Sequence, residues 1–275
     1  MKAIVCTKYG PPQVLKLQEV NQPIPEAGEA LIKIQAASLN AADLENMRGE
    51  FVVRIAAPFR PMYRILGTDF AGTIAAVGGQ VKQFQPGDEV WGDLSFPLGC
   101  STFAEYVCVP EEALRLKPAS MTFEEAAAIP TAGVVALQNL RDRSPIQPGQ
   151  SVLINGAGGG VGTYAVQLAK HFGAEVTAVD SASKLDLLRS IGADHVMDYE
   201  VEDFTSGARL YDLVLDVVAY RSIFAYRRSL APGGTFIYIG GSTSAIFQAL
   251  LVAPLLTRNS AEKMGLVPWR PNDKA

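Results

Sequence analysis

The chain has 275 residues, 48% of them apolar and 19% charged, with a formal net charge of −4. That is the composition of a globular protein of one or two domains with ample material for a buried core. No block of clustered Lys and Arg occurs, which argues against a nucleic-acid partner. The longest apolar run, IFQALLVAPLL at 246–256, is broken by Gln248 and Pro254 and falls short of the roughly 20 residues a membrane span needs.

Three cysteines (Cys6, Cys100 and Cys108) without paired spacing, and only two histidines, fit a reduced compartment and no disulfide framework. With no signal-peptide pattern at the N-terminus, the expectation is a cytoplasmic protein without a membrane partner.

In chain order, the first part reads as strands and turns. EALIKIQAASLN alternates as a half-buried strand, and FAGTIAAVG, GDEVWG and FAEYVCVP are short runs bounded by Gly, Pro or Asp. Only the stretch from Ala41 to Met47 suggests a helix. After Met121 the character changes. TFEEAAAIPTAGVVALQNL has Thr122 and Glu125 at capping-box spacing, and Pro130 divides it into two helical pieces. Strand and helix then alternate: SVLIN, VGTYAVQLAKHFG, EVTAV, KLDLLRSIG, HVMDY, YDLVLDVV, RSIFAYRRSL and GTFIYIGG. Short apolar strands separated by helices predict a parallel sheet covered on both faces.

The stretch INGAGGGVG at 154–162 follows a buried strand and opens an amphipathic helix. Ala157, Gly159 and Gly162 fall on the three small-residue positions of a dinucleotide fingerprint, with Ala in place of the first Gly. The chemistry asks for this, since pyrophosphate must approach the backbone and meet the free N–H groups of a helix start. Asp180, ending the next strand, stands about 20 residues on, where a carboxylate would hold ribose hydroxyls and favour NAD. Ser181, Ser183 and Lys184 follow at once, and a 2′-phosphate would seek such groups. Ser183 and Lys184 read equally as a helix cap and a solvated helix face, so the choice between NAD and NADP stays open.

Four segments, GTDFAGTIAAVG, FQPGDEVWG, INGAGGGVG and GADHVMDY, resemble the medium-chain dehydrogenase/reductase superfamily in kind and in order, over nearly the whole chain. The nearest branch is the zinc-independent quinone oxidoreductases, the zeta-crystallin-like and alkenal-reductase-like proteins. The resemblance implies an α/β chain, with an N-terminal β-rich GroES-like domain at 1–121 and a doubly wound Rossmann domain at 122–258. Residues 259–275 would begin a return segment to the first domain. Family members continue for several dozen residues past a stretch like Lys263-Met264-Gly265, so the chain reads as C-terminally short, and activity depends on whether that portion is needed.

In zinc-bearing relatives a cysteine and a histidine hold the metal where this sequence reads Leu39-Asn40-Ala41 and Gly67-Thr68-Asp69. The four-cysteine lobe is also missing, so the resemblance implies no zinc. It implies instead hydride transfer from NADPH or NADH to an α,β-unsaturated carbonyl or a quinone. Asn40 would be the side-chain donor for the developing oxyanion, with Asp43 and Arg48 beside it. Asn40-Ala-Ala-Asp43 also reads as an Asx turn opening a helix.

Carried over by position, Gly158, Gly160 and Val161 would contact the phosphates, and Ser181, Lys184 and Tyr199 the adenosine end. Thr131, Ile239, Gly240 and Gly241 would neighbour the nicotinamide. A homodimer pairing through the Rossmann half is the implied assembly. Two other functions fit the same residues: nucleotide binding without turnover, and a zinc-free alcohol dehydrogenase.

Overall fold

The computed structural model describes residues 1–95, 99–207, 209–266 and 270, and divides into two compact units, Met1–Val134 with Arg270–Ala275, and Val135–Trp269. The boundary thus falls at 134/135, inside a helix, rather than at 121/122.

In the first unit, β1 (Lys2–Cys6) and β2 (Leu15–Glu19) form an antiparallel pair. The body is a five-stranded antiparallel sheet ordered β6-β3-β4-β5-β7. Its strands are β3 (Glu29–Ala37), β4 (Asp69–Val77), β5 (Glu89–Asp93), β6 (Tyr106–Pro110) and β7 (Leu114–Leu116). Ile32 faces Ile74 on one neighbour and Val107 on the other, and with Phe70, Val90 and Leu114 these side chains make the core. Helix α1 (Ala41–Arg48) matches the sequence reading, whereas α2 (Phe51–Ala56) is a helix that the sequence does not suggest. Three of its four large apolar residues, Phe51, Val52 and Ile55, are exposed and Val53 is half-buried, so no buried stripe marks it. The expected division at Pro130 gives α3 (Phe123–Ala127), capped by Thr122 with Glu125, and α4 (Pro130–Leu137).

The second unit is a six-stranded, all-parallel sheet ordered β10-β9-β8-β11-β12-β13. Numbered from β8, that is the 3-2-1-4-5-6 order of a Rossmann sheet. The strands are β8 (Ser151–Asn155), β9 (Glu175–Asp180), β10 (His195–Asp198), β11 (Tyr211–Asp216), β12 (Leu230–Tyr238) and β13 (Lys263–Leu266). Between them lie α5 (Gly160–His171), α6 (Leu185–Ser190), α7 (Ile223–Arg228), α8 (Thr243–Phe247) and α9 (Ala253–Thr257).

The strand alternation assigns the two faces. Val152, Ile154, Leu213, Leu215 and Ile237 pack with Ala165, Val166 and Ala169 of α5 and Leu188 of α6. Leu153, Val214, Phe236 and Tyr238 pack on the other face with Ile223 and Tyr226 of α7 and with Ala245, Ala249 and Ala253. Strands buried on both faces need near-continuous apolar runs, which is how they read in the sequence. Each fully buried Leu or Ile contributes about 1.5–3 kcal/mol relative to exposure.

Residues 263–266 are the sixth strand of this sheet, paired in parallel with β12, and not the start of a return to the first domain. The tract continues the strand–helix alternation, with α8, a π-helical stretch Gln248–Val252 and α9 as its crossover. Residues 267–269 and 271–275 of the expected return segment lie outside the described residues. IFQALLVAPLL is therefore helical and two-sided: its alanines are buried, whereas Phe247, Leu250, Leu251 and Leu255 are exposed. Among the described residues no helix is long and apolar enough to cross a membrane.

Candidate active site

In the second unit the C-terminal ends of the parallel strands share one edge, where ligands of open α/β sheets bind. β8 ends in Asn155, whose Nδ2 donates to Asp216 Oδ1 at the end of β11 (2.9 Å). The chain turns at Gly156, with φ of 76°, a conformation that penalises any side chain. The Gly156 and Ala157 N–H groups donate to the Val179 carbonyl, tying the turn to β9. Ala157 is wholly buried with its methyl in the core, which explains how Ala replaces the first Gly of the fingerprint.

Helix α5 starts after Gly159 with no side-chain cap, so the N–H groups of Gly160, Val161 and Gly162 are the orphan donors of its first turn. A Cβ on Gly162 would strike the Gly156 carbonyl oxygen and come within 2.6 Å of the Ala157 backbone. Close helix–turn packing thus requires Gly there.

Asp180 closes β9 and is 7% exposed. It faces the loop: Gly158 N donates to Oδ2 at 2.7 Å, Ser181 N to Oδ1 at 2.8 Å, and Lys184 Nζ lies 3.2 Å from Oδ1. Burial pushes the carboxyl up, but the two N–H donors and the Lys184 ammonium outweigh it and hold it below the usual carboxylate range. The sequence puts this carboxylate on a ribose. In the structure both its oxygens are engaged within the protein, and its charge is met by Lys184. The Ser181 and Ser183 hydroxyls lie 3.2 Å apart beside it, and Tyr199, 41% exposed, donates its N–H to the Asp180 carbonyl. Ile239, Gly240 and Gly241 follow β12 at the same edge, where Ile239 N donates to Asp216 O and Ala219 N to Gly240 O.

In the first unit, Asn40 caps α1 and its N–H donates to Asp43 Oδ2 (2.8 Å), while Gly67 N donates to Asp43 Oδ1 (3.1 Å). Asp43 is 3% exposed, and burial pushes its carboxyl up to about 6. It organises the helix start from inside the domain. Arg48 is exposed in the last turn of α1, and among the described residues no hydrogen bond or ion pair joins it to Asn40 or Asp43.

The group that brings the site together is one the sequence did not single out, Asp69 at the start of β4. Fully buried, it accepts five bonds: from Ser38 Oγ (3.0 Å), Asn40 Nδ2 (3.1 Å), Thr131 N (3.1 Å), Thr131 Oγ1 (2.6 Å) and, more weakly, Thr68 Oγ1 (3.4 Å). Asn40 Nδ2 also reaches Ser38 Oγ at 3.4 Å, so the amide donor expected to face the substrate is directed inward. An ionised carboxylate only accepts hydrogen bonds, and it draws every nearby donor toward itself.

Asp93, at the end of β5, is also buried. Burial first, and the Asp69 charge second, push it up to about 6. Cys100 is pushed up to about 12 by burial and by the Asp43 and Asp93 charges. A cavity of about 390 Å³ in this unit touches Cys100 and Leu94, but Asn40, Asp43, Arg48 and Thr131 do not line it. The sequence signal for Asp69 is a lone acid opening the otherwise uncharged strand DFAGTIAAV.

The family described as "Alcohol dehydrogenase GroES-like domain" matches residues 26–119, and that described as "Zinc-binding dehydrogenase" matches residues 160–265. A 2-methylene-furan-3-one reductase of Solanum lycopersicum is 42% identical over 79% of this chain and 57% of its own length. An NADPH-dependent alkenal/one oxidoreductase, chloroplastic, of Arabidopsis thaliana is 40% identical over the same shares. The chain thus spans 57% of the length of each of these relatives. The solved structure of a quinone oxidoreductase from Coxiella burnetii superposes with a TM-score of 0.88 at 32% identity, covering 98% of this chain and 83% of that one.

Proposed function

The chain belongs to the medium-chain dehydrogenase/reductase superfamily, and on that premise we propose that it is an NADPH-dependent, zinc-independent reductase of α,β-unsaturated carbonyl compounds or quinones. The observation that carries the cofactor half of this reading is the uncapped start of α5 behind a turn that admits no Cβ at Gly162. The N–H groups of Gly160, Val161 and Gly162 would hold the pyrophosphate, with Gly159 leaving the approach open. Because Lys184 already offsets Asp180, a 2′-phosphate meets no bare carboxylate there. Ser181 and Lys184 would bind it, with Tyr199 at the adenine, which favours NADP over NAD. Ile239, Gly240 and Gly241 would line the nicotinamide end of the same sheet edge.

When bound, the reduced nicotinamide supplies the hydride. The chain's part is to meet charge developing on the acceptor oxygen. Asp69 holds the Asn40 amide and the Thr131 hydroxyl in fixed directions, and an oxygen gaining negative charge competes with Asp69 for those donors. Asp43 keeps Asn40 at the helix cap and acts by positioning.

The same residues do not fit zinc. An amide and hydroxyls stand where thiolate and imidazole are needed, Asp69 is saturated with donors, and the nearby Cys100 is held in its thiol form. A homodimer is part of the proposal, because Phe247, Leu250, Leu251 and Leu255 are exposed beside the open edge of β13.

The test mixes the full chain with NADPH or NADH and an alkenal or a naphthoquinone and follows loss of the reduced-nicotinamide absorbance. Turnover with NADPH that drops in Asn40→Ala supports the proposal. The inward direction of the Asn40 donor favours a second reading, cofactor binding without turnover. Fluorescence-detected NADPH binding with no absorbance loss against a panel of enones and quinones would select it.

A further inference from the structure

We propose that the segment from Glu50 to Arg64 is a docking surface for an anionic lipid bilayer. Five large apolar side chains stand in water within twelve residues: Phe51 (53% exposed), Val52 (52%), Ile55 (70%), Phe59 (91%) and Met62 (51%). Single exposed apolar residues need no explanation, but such a concentration marks an interaction surface.

The segment keeps its form without a partner because its backbone is held from the inner side. Tyr9 Oη donates to the Ala57 carbonyl at 2.6 Å, and Arg54 donates to the carbonyls of Gly49 (2.7 Å) and Pro58 (3.2 Å). The Arg54 guanidinium lies 4.5 Å over the Tyr9 ring. Pro58 and Pro61 restrict the loop further. What the segment presents outward is therefore its apolar side chains.

Charge selects the occupant. Residues 50–64 hold Arg54, Arg60 and Arg64 against one acid, Glu50, in a chain whose net charge is −4, so the segment is positive on an acidic protein, with Arg60 and Arg64 exposed and Arg54 spent on the loop's own carbonyls. A second copy docked about a two-fold axis would set the same patch against itself, arginine toward arginine. An anionic bilayer meets both components at once, with hydrocarbon for Ile55 and Phe59 and headgroups for Arg60 and Arg64. The sequence-level expectation of no membrane partner rested on the lack of a spanning run, and surface docking needs none. The assignment is independent of the redox reading.

Co-sedimentation of the full chain with vesicles tests it, without cofactor. Vesicles of phosphatidylcholine with phosphatidylglycerol should bind the chain at low salt, and those of phosphatidylcholine alone at least about tenfold less. High salt should release it. Phe59→Asp and Ile55→Asp should each weaken partition about tenfold or more, and Arg60→Glu about fivefold, with thermal unfolding unchanged. If Ile55→Asp disturbs folding, Phe59→Asp, at a nearly fully exposed position, carries the test. No binding to anionic vesicles, or equal binding by wild type and variants, overturns the proposal. A dimer in solution that Phe59→Asp splits also overturns it, by giving the patch to a second copy.

Discussion

Asp69 and Asp180 are both buried aspartates at strand ends, each gathering the donors around it, yet they sit in opposite electrostatic settings. Asp180 has two backbone N–H groups and the Lys184 ammonium, and its carboxyl is held below the ordinary range. Asp69 receives five neutral donors, with Asp43 and Asp93 as its charged neighbours, and burial leaves its carboxyl raised. The first is a locally neutralised pair beside a cofactor loop. The second is a strained concentration of negative charge that neutral hydrogen bonds make tolerable. Stability and function should therefore depend on the two residues in different ways.

The largest effect is expected at Asp69. Asp69→Ala leaves five donors from Ser38, Asn40, Thr68 and Thr131 without their acceptor and should cost about 3 kcal/mol or more in denaturant unfolding. Asp69→Asn keeps the shape but cannot accept all five, and should lower kcat/KM about 100-fold. A variant that melts and turns over like wild type would erase the contrast.

Next comes Gly162→Ala, which forces a methyl onto the Gly156–Ala157 backbone. It should destabilise by about 1–3 kcal/mol and weaken NADPH binding, measured by fluorescence titration, about 100-fold.

The pH dependence separates the units directly. Asp43 and Asp93, pushed up to about 6, keep protons that the unfolded chain has already released above its ordinary carboxylate pKa. Their contribution is thus most favourable at acid pH and falls as pH rises toward 6, on the order of 1 kcal/mol or more per group. Asp180 and Asp194 are lowered, so what they contribute is present at neutral pH and lost as pH falls below the usual carboxylate range. Hydrogen exchange should show β4 better protected at pH 5 than at pH 7, and β9 without that gain.

The smallest effect belongs to Lys184→Ala. The lysine side chain is 43% exposed, so stability should change by less than about 1 kcal/mol. The KM for NADPH should rise about tenfold and that for NADH far less. Equal changes would mean that the Asp180–Lys184 pair does not read the 2′-phosphate.

The same pair of aspartates shows what a sequence discloses. Asp180 was legible because its partners are near in the chain: the glycine loop, Ser181 and Lys184 all belong to one βα unit with a fixed spacing. The parallel sheet was legible for a similar reason, since each apolar strand is followed by its own helix. Asp69 shows in the sequence only as part of the Gly67-Thr68-Asp69 stretch that replaces a metal ligand and as an acid opening a strand. Ser38, Asn40 and Thr131 come from a strand end, a helix cap and a later helix, and only the folded chain shows that they converge. The sequence shows the donor that Asn40 carries, but what that donor faces is a tertiary fact. Helix α2 escaped because it has no buried face, and β13 because four residues, KMGL, carry too little pattern to be seen as a strand.

The strand order of the Rossmann unit also bears on how the protein reaches its native state. Val152 at the centre of the sheet pairs with Val176 through one local crossover, but its other partner is Leu213, on the far side of two further helical or strand excursions. Closing that second, longer loop brings its entropy cost before any reward from burial. The β8–β11 seam is therefore expected to close after β8–β9. A nascent chain that has not yet emitted Tyr211–Asp216 holds β8 with one edge open, a state in which chaperones would find it.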